Sequence, residues 1–333
     1  MIDIRKLTYK LVAILEDGTQ LDISRAAEDL GWEEGEGEIA MRLSFTVHNA
    51  KYQGQPLSQL IKPGCITAII ADWGDGTDEV ARGTIVDWDT SNSGSSDTFS
   101  VLAYDELFNL QKSQDNRYIT AGTGTKAAIS AVFSDWGIPL GEYTGPDVAH
   151  AKTLYKNEFL ADIIMDLLDT AVKHGAEKYV VRASKGAASV LKLGSNETIY
   201  HFDEDTSLTV TKDAFSTQNL ITRVKVVGKE DAEGRQSAEA VIDGRTEFGI
   251  RQRIYNRQED DDLGTAKAEA QKILDEYGEP ENTISFQAPD VPTIRKGDKI
   301  HAKTRTREGY FIIKSIQHNA ATASMTMGVV PAA

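Results

Sequence analysis

The sequence predicts an α+β fold, mainly β, in which two β units flank a mixed one. Three observations carry that prediction. GTIVDW at 83–88 and TFSVLA at 98–103 alternate apolar and polar residues around a Ser/Asn/Gly-rich turn at 91–96, the pattern of two antiparallel strands. At Tyr104 the period changes, because Leu107, Phe108 and Leu110 recur at helical spacing behind Asp105, a residue able to cap a first turn. Period-2 alternation then returns at 207–211 and 220–229 and again from 282 onward, on either side of a helical stretch at 265–277.

In chain order, 7–16 and 40–47 alternate as strands, and the acidic, Gly-containing run 33–38 between them is expected to be an exposed loop. Pro63-Gly64 introduces the apolar run 65–71. Asp75-Gly76, before 79–88, is the dipeptide that type I′ hairpin turns prefer. The first unit therefore reads as a meander or small barrel of about six strands. After Ser113 a Gly/Thr-rich turn leads to a helix over 126–136, whose Ile129, Val132, Phe133 and Trp136 share a stripe and which Gly137 and Pro139 stop. A second helix, 158–173, places Leu160, Ile163, Ile164, Leu167, Leu168 and Ala171 on one face, with Asn157 as candidate cap and Gly175 at C′. Short strands at 178–182 and 188–193 follow around Lys185-Gly186. The last strands are expected at 282–288, 299–304, 309–317 and 324–330, and the helix at 265–277 is closed by Gly278 and Pro280. The division that results is 1–106 for the first β unit, 107–204 for the α+β unit, 205–232 with 282–333 for the second β unit, and 233–281 for an insertion with one helix.

With 333 residues the chain can hold two or three domains, each with its own core. Its net charge of −15 is uneven: residues 1–110 hold 8 Lys/Arg against 19 Asp/Glu. Such acidity argues against ordinary binding of a nucleic-acid backbone, while a lining past which DNA slides without sticking remains compatible with it. No stretch approaches the ~18 uninterrupted apolar residues of a membrane span, and the N-terminus lacks the pattern of a secretory signal. Cys65, the single cysteine, precedes the apolar run ITAII and reads as a core residue.

Candidate chemistry is sparse. The six histidines, His48, His150, His174, His201, His301 and His318, show no ligand spacing, so neither a metal nor another cofactor is expected. GTGTK at 122–126 has too few residues before its GK pair for a phosphate loop and reads as a turn ahead of the next helix. Asp72, Asp75, Asp78 and Glu79 lack calcium-loop order and read as a hairpin tip, and the acidic run 259–262 suits a helix N-terminus. Asp203 and Asp205 are the carboxylates in which a glycosidase activity would be sought first. Lys303, Arg305 and Arg307 form one basic cluster and Arg251, Arg253 and Arg257 another, the natural docking points for an acidic partner.

Laid end to end, GTIVDWDTSNSGSSDTFSVLAYDELFNLQKS (83–113), GIPLG (137–141), LITRVKVVGKEDAEG (220–234) and VPTIRKGDKIHAKTRTREGYFIIKSIQHN (291–319) resemble contractile-tail baseplate hub proteins, the XkdQ family of PBSX-like prophages and R-type bacteriocins. The resemblance covers most of 80–330. It implies a hub similar to the gene-27-type hub of T-even phages: two β-barrel tube domains joined by an α+β domain, the second barrel interrupted by a small helical insertion. It further implies a structural protein with no catalytic residues. A homotrimer would adapt the sixfold tail tube, or a tube-initiator protein, to a trimeric spike and to other baseplate proteins. Such a protein is made in the bacterial host cytoplasm and assembled into the tail, with no membrane span and no specific nucleic-acid binding. Under this reading part of the acid at Glu33, Glu34, Glu36, Glu38, Asp75 and Asp78 is expected to line a channel. The alternatives are a tail-associated peptidoglycan hydrolase and a free binding module. A hydrolase would need a Cys/His pair, a zinc motif or paired glutamates, and the sequence displays none of these.

Overall fold

The structure, a computed structural model, describes residues 4–93, 96–230, 233–257 and 262–332. The chain forms two compact units: the larger runs to Thr211 and resumes at Ser285, and the smaller spans Lys212–Ile284. Strands dominate and helices are few, so the fold is α+β and mainly β, as the alternation predicts.

Among the described residues a 13-stranded sheet is the largest element. In one stretch of it Ala27–Glu34, Met41–His48, Ser96–Tyr104, Thr77–Ser93, Ile66–Asp72, Thr8–Ile14 and Gln20–Asp22 pair in that order. Met41–His48 shows why the strand forms: its residues alternate between core and partial or full exposure, with Met41, Leu43, Phe45 and Val47 buried. Trp32, Phe99, Leu11, Leu43, Ile69, Ile85 and the buried Cys65 meet in this core. The same sheet continues into the last strands, because Glu308–Asn319 pairs antiparallel with Ala27–Glu34, His318 opposite Trp32 and Asn319 opposite Gly31. A Cβ at Gly31 would stand 2.9 Å from the His318 carbonyl oxygen, so glycine is what lets these backbones close up. The early and late strands of the larger body thus share one hydrogen-bonded sheet.

The middle segment packs helices Thr125–Asp135 and Leu160–Lys173 around Ile129, Phe133, Leu160, Ile164 and Leu167, beside a three-stranded sheet of Leu140–Tyr143, Ala187–Lys192 and Tyr179–Ser184. The helix stops fall where the sequence puts them: Gly137 and Gly175 both take φ near the left-handed region, +67° and +90°. Asn157 is not the cap. It belongs to the strand Thr153–Phe159, and the helix opens after Phe159 without a side-chain cap, its apolar face supplying the stability instead. The helix behind Asp105 is one short turn, Phe108–Lys112. The Asp75-Gly76 turn also differs: residues 73–76 form a four-residue loop in which Gly74, at φ +87°, takes the left-handed position and donates its N–H to Asp72 Oδ1 at 2.8 Å.

In the smaller unit Arg223–Glu230, grouped by sequence with the second β unit, pairs with Gln236–Asp243 and Gln252–Asn256. Leu263–Tyr277 covers that sheet through Ala266, Ala270 and Leu274. The Asp262 side chain caps the helix at Thr265 N, 2.7 Å, while the rest of the acidic run 259–262 lies outside the described residues.

Candidate assembly interface

The charged residues of the larger unit sort into an inner set that joins its segments and an outer set available to partners. The inner set begins with Glu34, at the end of the strand Ala27–Glu34. Far from lying in an exposed loop, it is 3% exposed. Arg295 grips it with two hydrogen bonds of 2.8 Å, and the Lys296 N–H adds a third at 3.1 Å. Burial by itself pushes the Glu34 carboxyl up, but the Arg295 guanidinium and its hydrogen bonds outweigh that, with Lys296 and Arg182 adding charge, and hold it at about 2. Arg295 also donates to the Ala183 carbonyl at 3.0 Å, and Arg182 donates to Asp298 at 2.9 Å and to the Lys296 carbonyl at 3.1 Å. Three sequence-distant segments, around 34, 182 and 295, are therefore tied by one polar joint. Gly297, at φ +89°, lies so close to Val180 that a Cβ would stand 2.5 Å from Val180 Cγ1, which is why the joint closes there.

A second buried network backs the shared sheet. His318 stacks on Trp32 at 4.5 Å, meets Asp290 Oδ1 at 2.6 Å through Nδ1 and faces the Ile294 carbonyl at 3.2 Å through Nε2. Tyr9 donates its hydroxyl to the other Asp290 oxygen, and burial, then the Asp290 charge, push that phenol well up. Asp105 forms the hinge from the first β unit to the middle segment. It does more than cap a turn, since Oδ1 accepts from Leu107 N at 3.1 Å and Oδ2 from Met41 N at 2.9 Å. Burial raises its carboxyl to about 7, with Glu106 and Glu34 adding to the rise and the Met41 N–H and Arg295 opposing it.

The residues singled out as docking points lie elsewhere. Lys303 ends the strand Lys299–Lys303, and Arg305 and Arg307 fall on the hairpin tip before Glu308–Asn319. Arg305 is the most projecting, its side chain 86% exposed, with Glu204 at 3.6 Å, and Lys303 stands 3.9 Å from Asp203. Arg251 and Arg253 belong to the smaller unit, Arg251 just before and Arg253 within its edge strand Gln252–Asn256, where Arg253 lies over the Tyr277 ring at 5.0 Å and Ile250 and Ile254 are exposed. The two basic groups are thus carried by different units.

Among the described residues Asp203 and Asp205 sit in a tight turn. Asp203 Oδ1 accepts the Asp205 N–H at 2.8 Å, an Asx-type turn, and the Asp203 carbonyl receives Ser207 and Leu208. At GTGTK, Gly124 precedes the helix Thr125–Asp135, and the Thr125 hydroxyl lies 2.8 Å from His150 Nε2. A cleft of about 500 Å³ borders Ile39, Met165, Tyr179, Ile312 and Val330. Its Lys314 is paired with Glu36, and its Lys296 donates to the carbonyls of Gly35 and Glu38. Among the described residues no helix is long and apolar enough to cross a membrane.

The buried pairing of Glu34 with Arg295 and of His318 with Asp290 is not foreseen in the sequence. One signal was present: the charged run RKGDK at 295–299 lies between Ile294 and Ile300, which a solvent-facing loop does not require.

The model of the YQBQ-like family matches residues 30–329. No curated protein matches the chain in sequence. Among solved structures, the prophage MuSo2 43 kDa tail protein of Shewanella oneidensis superposes with a TM-score of 0.67 at 14% identity, covering 97% of this chain and 98% of that one. A tail protein of Neisseria meningitidis gives 0.64 at 12% identity, with 97% and 96% covered. The c3393 protein of E. coli, described as a type VI secretion component structurally similar to T4 tail proteins gp27 and gp5, gives 0.54 at 12% identity, with 92% and 74% covered. At such identities the likeness is one of fold, and for the two tail proteins it covers nearly all of both chains.

Proposed function

The chain belongs to the YQBQ-like family, and we propose that it is the structural hub of a contractile-tail baseplate, without catalytic activity, assembled into the tail of a phage or phage-tail-like particle. The observation that supports this reading is the near-complete, two-way coverage shared with phage tail proteins. Its buried charges agree with it, since Glu34, Arg182, Arg295 and Asp298 are engaged in joining segments.

In this reading the chain is a homotrimer, and its two β units, closed as barrels, present six similar faces to a sixfold tube and a threefold face to a spike. The basic tip at Lys303, Arg305 and Arg307 and the strand edge at Arg251 and Arg253 contact acidic surfaces of the neighbouring baseplate proteins. The acidic channel needs revision in one respect: Glu34 is buried against Arg295 and cannot line a bore, which leaves Glu33, Glu36, Glu38, Asp75 and Asp78.

Electron microscopy of assembled particles tests the symmetry, with three copies around the tail axis expected and a sixfold or twofold arrangement overturning it. Charge reversal at Arg305 and Arg307 is expected to reduce incorporation into particles while the purified chain stays folded. In a zymogram the purified chain is expected to leave peptidoglycan intact. A lytic band lost on Asp203→Ala or Asp205→Ala would replace the hub reading with the hydrolase.

A further inference from the structure

Four of the six histidines have engaged rings. His48 meets Glu28 at 2.7 Å, His150 meets Thr125 at 2.8 Å, His174 meets the Thr170 carbonyl at 2.7 Å, and His318 lies between Asp290 and Ile294. His201 and His301 differ. Among the described residues neither imidazole has a hydrogen-bond or ion-pair partner, and their ring contacts are with each other and with Tyr310. The backbone places them together: His201–Asp203 pairs parallel with Lys299–Lys303, His201 opposite His301, Phe202 opposite Ala302 and Asp203 opposite Lys303. Phe202 and Ala302 are buried, so the alternate residues, both histidines among them, project from the other face. The ring centres are 4.7 Å apart, and Tyr310, opposite His301 on the next strand, meets it edge-on at 5.1 Å.

We infer that His201 and His301 form a two-histidine site for a divalent transition-metal ion of the zinc, nickel or copper class, which clips the short strand His201–Asp203 onto the sheet. Metal–nitrogen bonds of about 2.0–2.1 Å put the ion about 3.2 Å from each ring centre. Two imidazoles at adjacent coordination positions, about 90–110° apart, then have centres about 4.5–5.2 Å apart, and the observed 4.7 Å falls in that range. Imidazole is a ligand that this class of ion favours. Water completes the shell, because no set of three or more His, Cys, Asp or Glu side chains gathers for a metal among the described residues. Asp203, the next residue on this face, is occupied by the Asp205 N–H and stands near Lys303. The clip acts where it is needed, since His201–Asp203 is a three-residue strand that lies off the main path of the sheet and pairs only with Lys299–Lys303.

The test is a titration of the untagged full-length chain with nickel or zinc chloride, followed by calorimetry, in which one ion per chain is expected. His201→Phe and His301→Phe each keep an aromatic ring in the stack and remove its nitrogens. Losing even a supporting residue commonly weakens a metal site ten-fold, so each change is expected to cost at least about tenfold in affinity. His48→Asn and His174→Asn are expected to leave binding unchanged. At an ion concentration about five times the dissociation constant, the unmodified chain is expected to melt about 1–2 °C higher, and His301→Phe is not. In the unmodified chain, sub-stoichiometric copper should broaden the imidazole resonances of His201 and His301 before the other four. No binding up to millimolar ion, binding retained by the double Phe variant, or earlier broadening elsewhere would overturn the site.

Discussion

Two carboxylates, Glu34 and Asp105, are equally hidden from water and are pulled in opposite directions. Glu34 is held at about 2, whereas Asp105 rises to about 7. Both accept hydrogen bonds from backbone N–H groups, so neutral donors are not what separates them. The difference is a matched counter-charge: Glu34 has Arg295 on both oxygens, while Asp105 has no such partner and faces the like charges of Glu106 and Glu34. Burial makes a carboxylate costly, and the cost is offset only where a cation is supplied along with the hydrogen bonds. The Glu34 joint is accordingly a bolt between segments. The Asp105 hinge is a place where the chain tolerates an acid that prefers its proton.

The largest effect should come from breaking the bolt. Arg295→Ala leaves Glu34 buried and unpaired and is expected to lower unfolding free energy by about 3–5 kcal/mol, measured by urea denaturation. A loss below about 1 kcal/mol would mean that the pair is not desolvated as described.

An intermediate effect should appear in the pH dependence of stability. Asp105 has its folded pKa raised above an ordinary value of 3.8, so its contribution is complete below that value and is lost as pH rises toward about 7. Glu34 is lowered from 4.5 to about 2, so its contribution is present above 4.5 and is lost as pH falls toward about 2. Denaturation midpoints against pH should therefore decline on both sides of a maximum near pH 4. Asp105→Asn should flatten the limb between about 4 and 7 and leave the acid limb in place. An unchanged neutral limb would refute the role given to Asp105.

The smallest effect sharpens the contrast from the surface side. Arg305, exposed beside Glu204, should change stability by less than about 0.5 kcal/mol when reversed to Glu. The same substitution should still impair particle assembly, which separates an interface charge from a structural one.

The alternation of 40–47 and 98–103, the helical stripe at 160–171 and the stops at Gly137 and Gly175 were legible because they depend on neighbours two to four residues away. Local pattern also sufficed for the mainly β class and for the core role of Cys65. It misplaced Asn157, because a good cap residue does not start a helix where strand pairing of Thr153–Phe159 already claims it. It read all of 33–38 as exposed, which holds for 36–38 but not for Glu34, because the charge that neutralises Glu34 lies at Arg295, 261 residues away. What the sequence by itself determined, then, was every feature in which a residue answers to its own segment: period, stops, the sign of the net charge. What only the tertiary structure decided was which charges meet, that Trp32 and His318 share a stack, and that His201 faces His301. Those depend on strand pairings between distant segments, and a one-residue slip in register would move every one of these side chains to the opposite face.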